Sequence, residues 1–387
     1  MRTSVHNFVA RLPLVSEQPA WDVAVVGGGP AGLSAARAAA AAGARTIVLE
    51  RAEHPRYKTC GGGLIGTSLS YASAHIDVPA RDRISALTFT RDGRRSFTRR
   101  ASGRPFLTLV RRDDFDHAWY SAAVAAGAVV RQNSQVRSVE QNDDVATVTL
   151  AGGDQITAGV VIGADGSAGI TSRYVGVTFE QQDLGLEVEL AATPADRAAW
   201  QGRVLLDWGP FPGSYGWVFP KEDELTVGVI MAKGHGAATK EYLNDFVSRL
   251  GFADRPVVRD SGHLTRCRHP DAPLRRGRVV VVGDAAGLLE PWTREGISYA
   301  LRSGSWAGAA WNDLSSYEHR VAAELVPEMT AGRRLLNAFS RLPGVVHLAM
   351  ATPLGWRAFE TFCRGDLSMA HAIRRPGVRA LLALFRA

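Results

Sequence analysis

Asp22-Val-Ala-Val-Val-Gly27-Gly28-Gly29-Pro30-Ala31-Gly32 decides the fold. Residues 22–26 form a mostly apolar run that stops at glycines, the pattern of a buried parallel strand. The glycines read G-x-G-x-x-G. Gly27 permits the tight turn, Gly29 lets the backbone approach a pyrophosphate, and Gly32 lets the following helix pack against the strand. Residues 31–42 are alanine-rich and read as that helix, with Ala36 and Gly43 as further small packing positions. Residues 46–50, Thr-Ile-Val-Leu-Glu, read as a second strand, completing a βαβ unit whose helix N-terminus faces phosphates. Glu50 ends that strand, 18 residues after Gly32, where an acid binds ribose hydroxyls. The cofactor contacts predicted from this unit are Gly27, Gly29, Ala31, Gly32, Glu50 and the adjacent Arg51.

A second nucleotide-type junction lies far downstream, at Val282-Gly283-Asp284-Ala285-Ala286-Gly287, after the apolar run 279–282. Asp284 is suited to hydrogen-bond a ribityl hydroxyl, and the small residues around it admit a flat ring. The helix beginning near Gly296-Ile297 can aim its positive end at the pyrimidine side of a flavin and stabilise negative charge there. Two separated nucleotide motifs in one chain point to one long cofactor, FAD. With a single G-x-G-x-x-G, a separate NADPH domain is not indicated.

Between these motifs the pattern changes. Residues 115–127 read as helix, with strands near 128–138 and 145–150 and a buried strand at 159–163. Short strands at 84–90, 185–192, 203–208, 215–219 and 225–231, separated by turn residues, suggest an antiparallel sheet, followed by a helix at 238–250. From about 296 onward the pattern is mainly helical, broken by Pro343, Pro353 and Pro376. The predicted fold class is α/β (α+β overall). A discontinuous Rossmann-like FAD domain (20–80, 105–176 and 270–312) is interrupted by an antiparallel β substrate domain (81–104 and 177–269), with a C-terminal helical region (313–387). Residues 1–20 read as an extension before the first strand, with no secretory signal.

Composition narrows the class. With 387 residues and 46% hydrophobic content, a real core can form and disorder is not the dominant state. Cys60, Cys267 and Cys363 are few, odd in number and scattered, which argues for a reducing compartment and against a disulfide scaffold. No run of about 18 apolar residues suggests a transmembrane helix. No metal site is expected, since His235, His263 and His269 lack partners at ligand spacing and read as loop residues. The net charge is +7, and residues 332–387, with nine arginines and two acids, carry all of it. Such a basic, apolar tail suits either an anionic membrane surface or a solvated helical face. No nucleic-acid motif accompanies it. The expected location is cytoplasmic, with a peripheral position on the inner membrane face if the tail binds lipid. Only four lysines occur, for which we have no physical account.

Asp22–Glu50, Gly163-Ala-Asp165-Gly166 and Val282–Gly287 resemble the FAD-binding elements of the p-hydroxybenzoate hydroxylase superfamily. Arg112, ahead of Phe115-Asp116, matches that superfamily's R-x-x-F-D arginine, which contacts the cofactor; Asp165 belongs to its second cofactor segment. The resemblance spans about residues 20–310. A finer resemblance is to the geranylgeranyl reductase family. Lys58-Thr-Cys60-Gly61-Gly62-Gly63-Leu64 is similar to its K-x-C-G-G-G-L, and Pro212-Gly-Ser-Tyr215-Gly-Trp217-Val-Phe219-Pro220 fits P-x-x-Y-x-W-x-F-P at every fixed position. The resemblance implies reduction of carbon–carbon double bonds in long isoprenoid chains. The substrate would be a prenyl lipid, a diphosphate or a quinone tail.

The residues agree with that chemistry. An isoprenoid alkene offers no polar handle, so a site must hold it by shape along apolar and aromatic walls. Tyr215, Trp217 and Phe219 alternate and therefore share one strand face; with Trp292 they are the predicted substrate contacts. Gly61 and Gly62 allow close backbone approach to a flat ring. Cys60 is a candidate proton donor or relay, or a small packing residue. Tyr215 and Trp217 are counted with it as catalytic candidates, because aromatic faces stabilise developing positive charge.

Three positions depart from the family. Gly169 stands where a serine is usual and Arg173 falls one place late, which leaves the electron donor open between NADPH and a ferredoxin-like protein. Arg294 replaces a glycine, either to bind an anionic substrate group or to pair with an acid. Thr46 replaces a valine. An FAD-dependent aromatic hydroxylase, a flavin halogenase and a flavin-binding sensor are the competing readings.

Overall fold

The computed structural model describes residues 19–374; the N-terminal extension and Pro376 lie outside that range, as does the tail beyond residue 374. The fold is mixed α/β, with three sheets and a helical C-terminal part.

The first sheet has eight strands. Its parallel core runs Val279–Val281, Gln155–Gly163, Trp21–Val26, Thr46–Leu49, Val129–Arg131. These strands are apolar almost throughout because helices and loops cover both faces. The helix Pro30–Ala41 follows the first strand directly, with proline at its start and Gly29 extended before it. No side chain caps that end, so its first N–H groups stay available. The helix Ile297–Ala309 packs against it very closely. A Cβ at Gly304 or Gly308 would overlap the backbone of Ala31 or Ala35. These glycines seat the middle and end of the second helix on the first two turns of the first.

The second sheet has seven strands in the order Val257–Arg268, Phe179–Ala191, Glu224–Ala232, Tyr215–Lys221, Arg203–Trp208, Ala86–Arg91, Arg94–Arg100. It is antiparallel except where Arg203–Trp208 and Ala86–Arg91 pair in parallel. Here the structure adds to the sequence reading. Val257–Arg268 was not anticipated as a strand; it lies at the sheet edge, carries polar residues on both faces and contains Gly262, so it lacks clean alternation. His263 therefore sits within a strand, which corrects its assignment to a loop. A third sheet of Gly63–Leu64, Leu107–Val110 and Ala80–Ile84 was also not foreseen. Its short strands pair only through residues distant in sequence.

The helices Val326–Arg341, Pro343–Ala351 and Pro353–Cys363 close against the second sheet. Phe339, Trp356, Phe359 and Cys363 share one apolar cluster there with Phe89 and Trp208.

Candidate functional site

A single cavity of about 890 Å³ runs between the two large sheets. At one end lie Gly27, Gly29, Ala31, Glu50, Arg51, Arg112 and Asp165. Cys60, Gly61, Gly62, Asp284, Gly296 and Ile297 line its middle, and Tyr215, Trp217, Phe219 and Trp292 the other side. Of the predicted site residues only Gly32 is set behind the wall, where its missing Cβ leaves room for the Gly27 carbonyl.

Gly27 has φ +105°, and a Cβ there would run into the Ala164 carbonyl, so only glycine makes this turn. Next to it, the Gly28 N–H donates to Glu50 Oε2 at 2.6 Å, and Glu50 Oε1 accepts from Ala52 N at 2.9 Å. Around Gly29 the space is open; an added Cβ would meet only the Arg56 guanidinium, 3.6 Å away. Arg56 escaped the sequence reading. It donates to the Gly28 carbonyl (3.1 Å) and lies 3.3 Å from Asp116, while its Nε has no hydrogen-bond partner. Arg112 makes a two-pronged bond to the same Asp116, at 2.8 and 2.9 Å. One buried carboxylate therefore holds two guanidiniums at the wall, four residues apart in sequence for one and 60 for the other, so only the first pairing was legible.

The middle of the cavity is electrostatically dense. Burial pushes the Lys58 ammonium down, helped by Arg112 and opposed by Asp284. Burial also opposes ionisation of Asp284, but the hydrogen bond and charge of His263, with Lys58 and Arg112, outweigh it and hold the carboxyl below its ordinary range. His263 Nε2 stands 3.5 Å from Asp284 Oδ2. Asp165 is turned inward to its own loop: its carboxylate accepts from Ile170 N (2.7 Å), Thr171 N (3.0 Å) and the Thr171 hydroxyl. Glu295, beside Gly296, accepts from Ser298 N and Oγ at 2.6 and 2.7 Å; burial raises it to about 7 against those bonds.

The Cys60 loop is clamped from outside. The Cys60 N–H donates to Glu187 Oε1 at 2.8 Å, and Lys221 Nζ donates to the Cys60 carbonyl at 3.3 Å. Both clamping side chains are about 2% exposed. Burial raises the Glu187 carboxyl, while Lys221 and the Cys60 N–H oppose the rise. The Cys60 Sγ accepts from Gly62 N at 3.3 Å. Gly62 has φ +74°, and a Cβ there would overlap the Val110 carbonyl. The loop lies directly on the aromatic ladder: a Cβ at Gly61 would be 3.0 Å from the Phe219 ring and 3.2 Å from Trp217 Nε1.

Tyr215, Trp217 and Phe219 do share one face, with successive ring centroids 6.0 and 6.4 Å apart. Trp217 lies over Gly228 of the neighbouring strand, where any Cβ would overlap the indole. The Tyr215 hydroxyl donates to the Thr293 carbonyl, and burial raises its phenol well above the ordinary range. Of the two roles read for Arg294, the pairing with an acid is present. It pairs with Asp183 at 3.3 Å, both side chains only 4% exposed, and donates to the Trp292 carbonyl at 2.7 Å. The far end of the cavity is walled by Leu87, Phe106, Trp208, Phe359 and Cys363. The last two come from the C-terminal helix Pro353–Cys363, and nothing in the sequence near them signalled a part in the site. Among the described residues no three His, Cys, Asp or Glu are grouped to hold a metal, and no helix is long and apolar enough to cross a membrane.

The FAD binding domain family matches residues 20–305. The open glycine turn, the uncapped helix start and the Arg56 guanidinium beside Gly29 all suit a diphosphate, so the residues present fit the cofactor. Fold, cradle and family match define an FAD-dependent oxidoreductase. Digeranylgeranylglycerophospholipid reductase 3 of Methanosphaera stadtmanae is 30% identical over 308 residues, 74% of this chain and 76% of its own length. The chloroplastic geranylgeranyl diphosphate reductase of Oryza sativa is 29% identical over 83% of this chain and 71% of its own. The chain belongs to the geranylgeranyl reductase family of FAD-binding proteins. The crystal structure of a geranylgeranyl bacteriochlorophyll reductase-like protein from Thermoplasma acidophilum shares the fold, with TM-score 0.74 and 21% identity, covering 94% of this chain and 99% of that one.

Proposed function

We propose that this enzyme saturates carbon–carbon double bonds of a polyprenyl chain lying in the apolar half of the cavity. The observation that carries the reading is the continuity of that cavity, from the glycine cradle past Cys60 to a chamber of aromatic and aliphatic walls. In this reading residues 20–80, 105–176 and 270–312 hold the cofactor. Residues 81–104 and 177–269 supply the substrate sheet, and the helices from 313 onward close the chamber.

Reduced FAD supplies a hydride from its N5. Gly27, Gly29 and Ala31 would hold its diphosphate at the helix start, with Arg56 as a countercharge; Glu50 and Arg51 would serve the adenosine end. Arg112 and Asp284 would face the central part, and the start of the helix at Gly296-Ile297 the pyrimidine end. Tyr215, Trp217, Phe219 and Trp292 would hold the prenyl chain by shape, and their ring faces would favour positive charge developing at the more substituted carbon. One proton must reach the other carbon. Cys60, in the cavity wall on the glycine loop, would be the donor of that proton, and its backbone clamp by Glu187 and Lys221 keeps it in place. Arg294, in the cavity wall, is already paired with Asp183.

The reduced cofactor must be regenerated by an external donor, NADPH or a ferredoxin-like protein. A lipid substrate also favours a position at the inner face of a membrane, with the C-terminal region as the contact. The test is anaerobic. Protein reduced with dithionite is incubated separately with geranylgeranyl diphosphate and with menaquinone, and lipids are weighed by mass spectrometry. Gain of hydrogen in the prenyl chain, with quinone-ring reduction excluded, is the expected result. No gain with bound, reducible FAD overturns the reading and turns attention to oxygen uptake with aromatic substrates. In Cys60→Ala, unchanged turnover with intact FAD eliminates the proton-donor role.

A further inference from the structure

Nine large apolar side chains are exposed among the described residues, and four of them, Leu342, Val345, Leu348 and Leu354, fall within thirteen consecutive positions. Leu348 and Leu354 are 65% and 80% exposed. The first three lie on or just before the helix Pro343–Ala351, whose other face is committed. Val346 and Met350 pack on the cluster of Trp208, Trp292 and Phe339, and His347 is buried. A fifth exposed ring, Phe211, belongs to the turn whose Gly213 sits against Ser340 and Leu336, at the end of the preceding helix. Scattered exposed apolar residues need no explanation, whereas a group on one short helix that is apolar on both its buried and its exposed face does.

The rim of this patch is positively charged. The edge strand Arg94–Arg100, Arg-Arg-Ser-Phe-Thr-Arg-Arg, runs beneath the two C-terminal helices. His347 Nε2 bonds the Arg95 carbonyl at 2.7 Å, and Trp356 Nε1 donates to the Arg100 carbonyl at 3.0 Å. The acids of this region are already taken: Glu360 pairs with Arg364 at 2.7 Å and Asp366 with Arg104 at 2.8 Å. Arg95, Arg99 and Arg357 have no carboxylate partner among the described residues, nor has Arg91, whose guanidinium lies against Gly344 at the start of the helix, while Arg100 lies on the strand face opposite Phe97. An apolar centre with an unneutralised arginine rim complements a surface that is apolar inside and carries phosphates outside. The patch is also continuous with the chamber. His347 packs on Phe97 (4.8 Å between centroids), Phe97 on Phe89 (5.2 Å), and Phe89 on Phe359 (5.6 Å), which lines the cavity.

We propose that the outer face of Pro343–Ala351 together with Leu354, rimmed by the arginines of strand Arg94–Arg100, docks on an anionic lipid bilayer. The contact lies on defined helices and on the substrate sheet, well beyond a general attraction of the basic tail. It places the chamber wall a short chain of packed rings from the lipid, and only this last clause rests on the prenyl-reductase reading.

The test uses the full-length holoenzyme with vesicles of phosphatidylcholine, with and without phosphatidylglycerol, in a flotation assay. Wild type should float with the anionic vesicles at low salt and be released as salt rises. Leu348→Glu/Leu354→Glu should weaken retention at least tenfold. Val257→Glu/Val258→Glu, an apolar pair more than half exposed on the opposite edge strand, should leave it unchanged. The inference is overturned if wild type stays unbound, if the Leu348/Leu354 variant binds as wild type does, which would assign binding to another segment such as residues 375–387, or if light scattering shows a wild-type dimer that this variant dissolves. Reduction of detergent-dispersed geranylgeranyl diphosphate by the same preparations reports separately on the enzyme reading. Vesicle binding without reduction leaves the docking surface standing and removes the prenyl substrate.

Discussion

Trp217→Ala tests the substrate chamber most directly. The indole is wedged between Gly228 of the next strand and Gly61 of the Cys60 loop, and it is only 9% exposed. Truncating a buried tryptophan costs about 3–5 kcal/mol. Two features reduce that here. One side of the ring already faces the cavity, so fewer packing contacts are lost. Its Nε1 has no hydrogen-bond partner, so the change also removes a buried polar group that costs roughly 1–3 kcal/mol. A net loss of about 2 kcal/mol follows from those ranges. At roughly 2–4 °C per kcal/mol for a large domain, melting should fall by about 4–8 °C. The wall between the Cys60 loop and the ladder would also open. Anaerobic turnover with prenyl diphosphates of increasing length should therefore show a changed length preference, with FAD content preserved because the glycine cradle is untouched. Gly228→Leu should act in the opposite sense, pushing the indole into the chamber and impairing the longest substrates first. An unchanged length preference in both variants, with melting within 1 °C of wild type for Trp217→Ala, refutes the chamber argument.

Gly27→Val places a side chain on the Ala164 carbonyl at φ +105°; the purified variant should be colourless, and a normal flavin spectrum counts against the cradle. Arg294→Met leaves Asp183 buried without its cation, which costs about 3–5 kcal/mol when one member of a buried pair is removed; chemical denaturation should show that loss, and Arg294→Met/Asp183→Leu should recover part of it. Glu295 titrates near 7 in the native protein against an ordinary 4.5, so the folded state binds the extra proton between those values and stability falls as pH rises through that window. Glu295→Gln should be no more stable than wild type at pH 4 and progressively more stable up to pH 7; parallel melting curves across that range would contradict the assignment.

How much of this was legible in the sequence depends on distance along the chain. The βαβ unit was readable because its apolar runs, glycines and acid are neighbours in sequence and each obeys a local steric rule. The aromatic ladder was readable because alternation alone puts Tyr215, Trp217 and Phe219 on one face. Arg294 showed its departure from the family pattern, but its partner did not, since Asp183 is 111 residues away. Val257–Arg268 hid because an edge strand need not alternate cleanly.

The sequence by itself determined the cofactor class, the central parallel sheet and the identity of the aromatic wall, all consequences of short-range backbone and side-chain geometry. Only the tertiary structure decided what faces what. It placed Arg56 beside Gly29, set the Glu187–Lys221 clamp around Cys60, paired His263 with Asp284 and closed the chamber with Phe359 and Cys363 from the helix Pro353–Cys363. Such contacts arise where separate segments bury apolar surface against one another, and no local rule records which segments those will be.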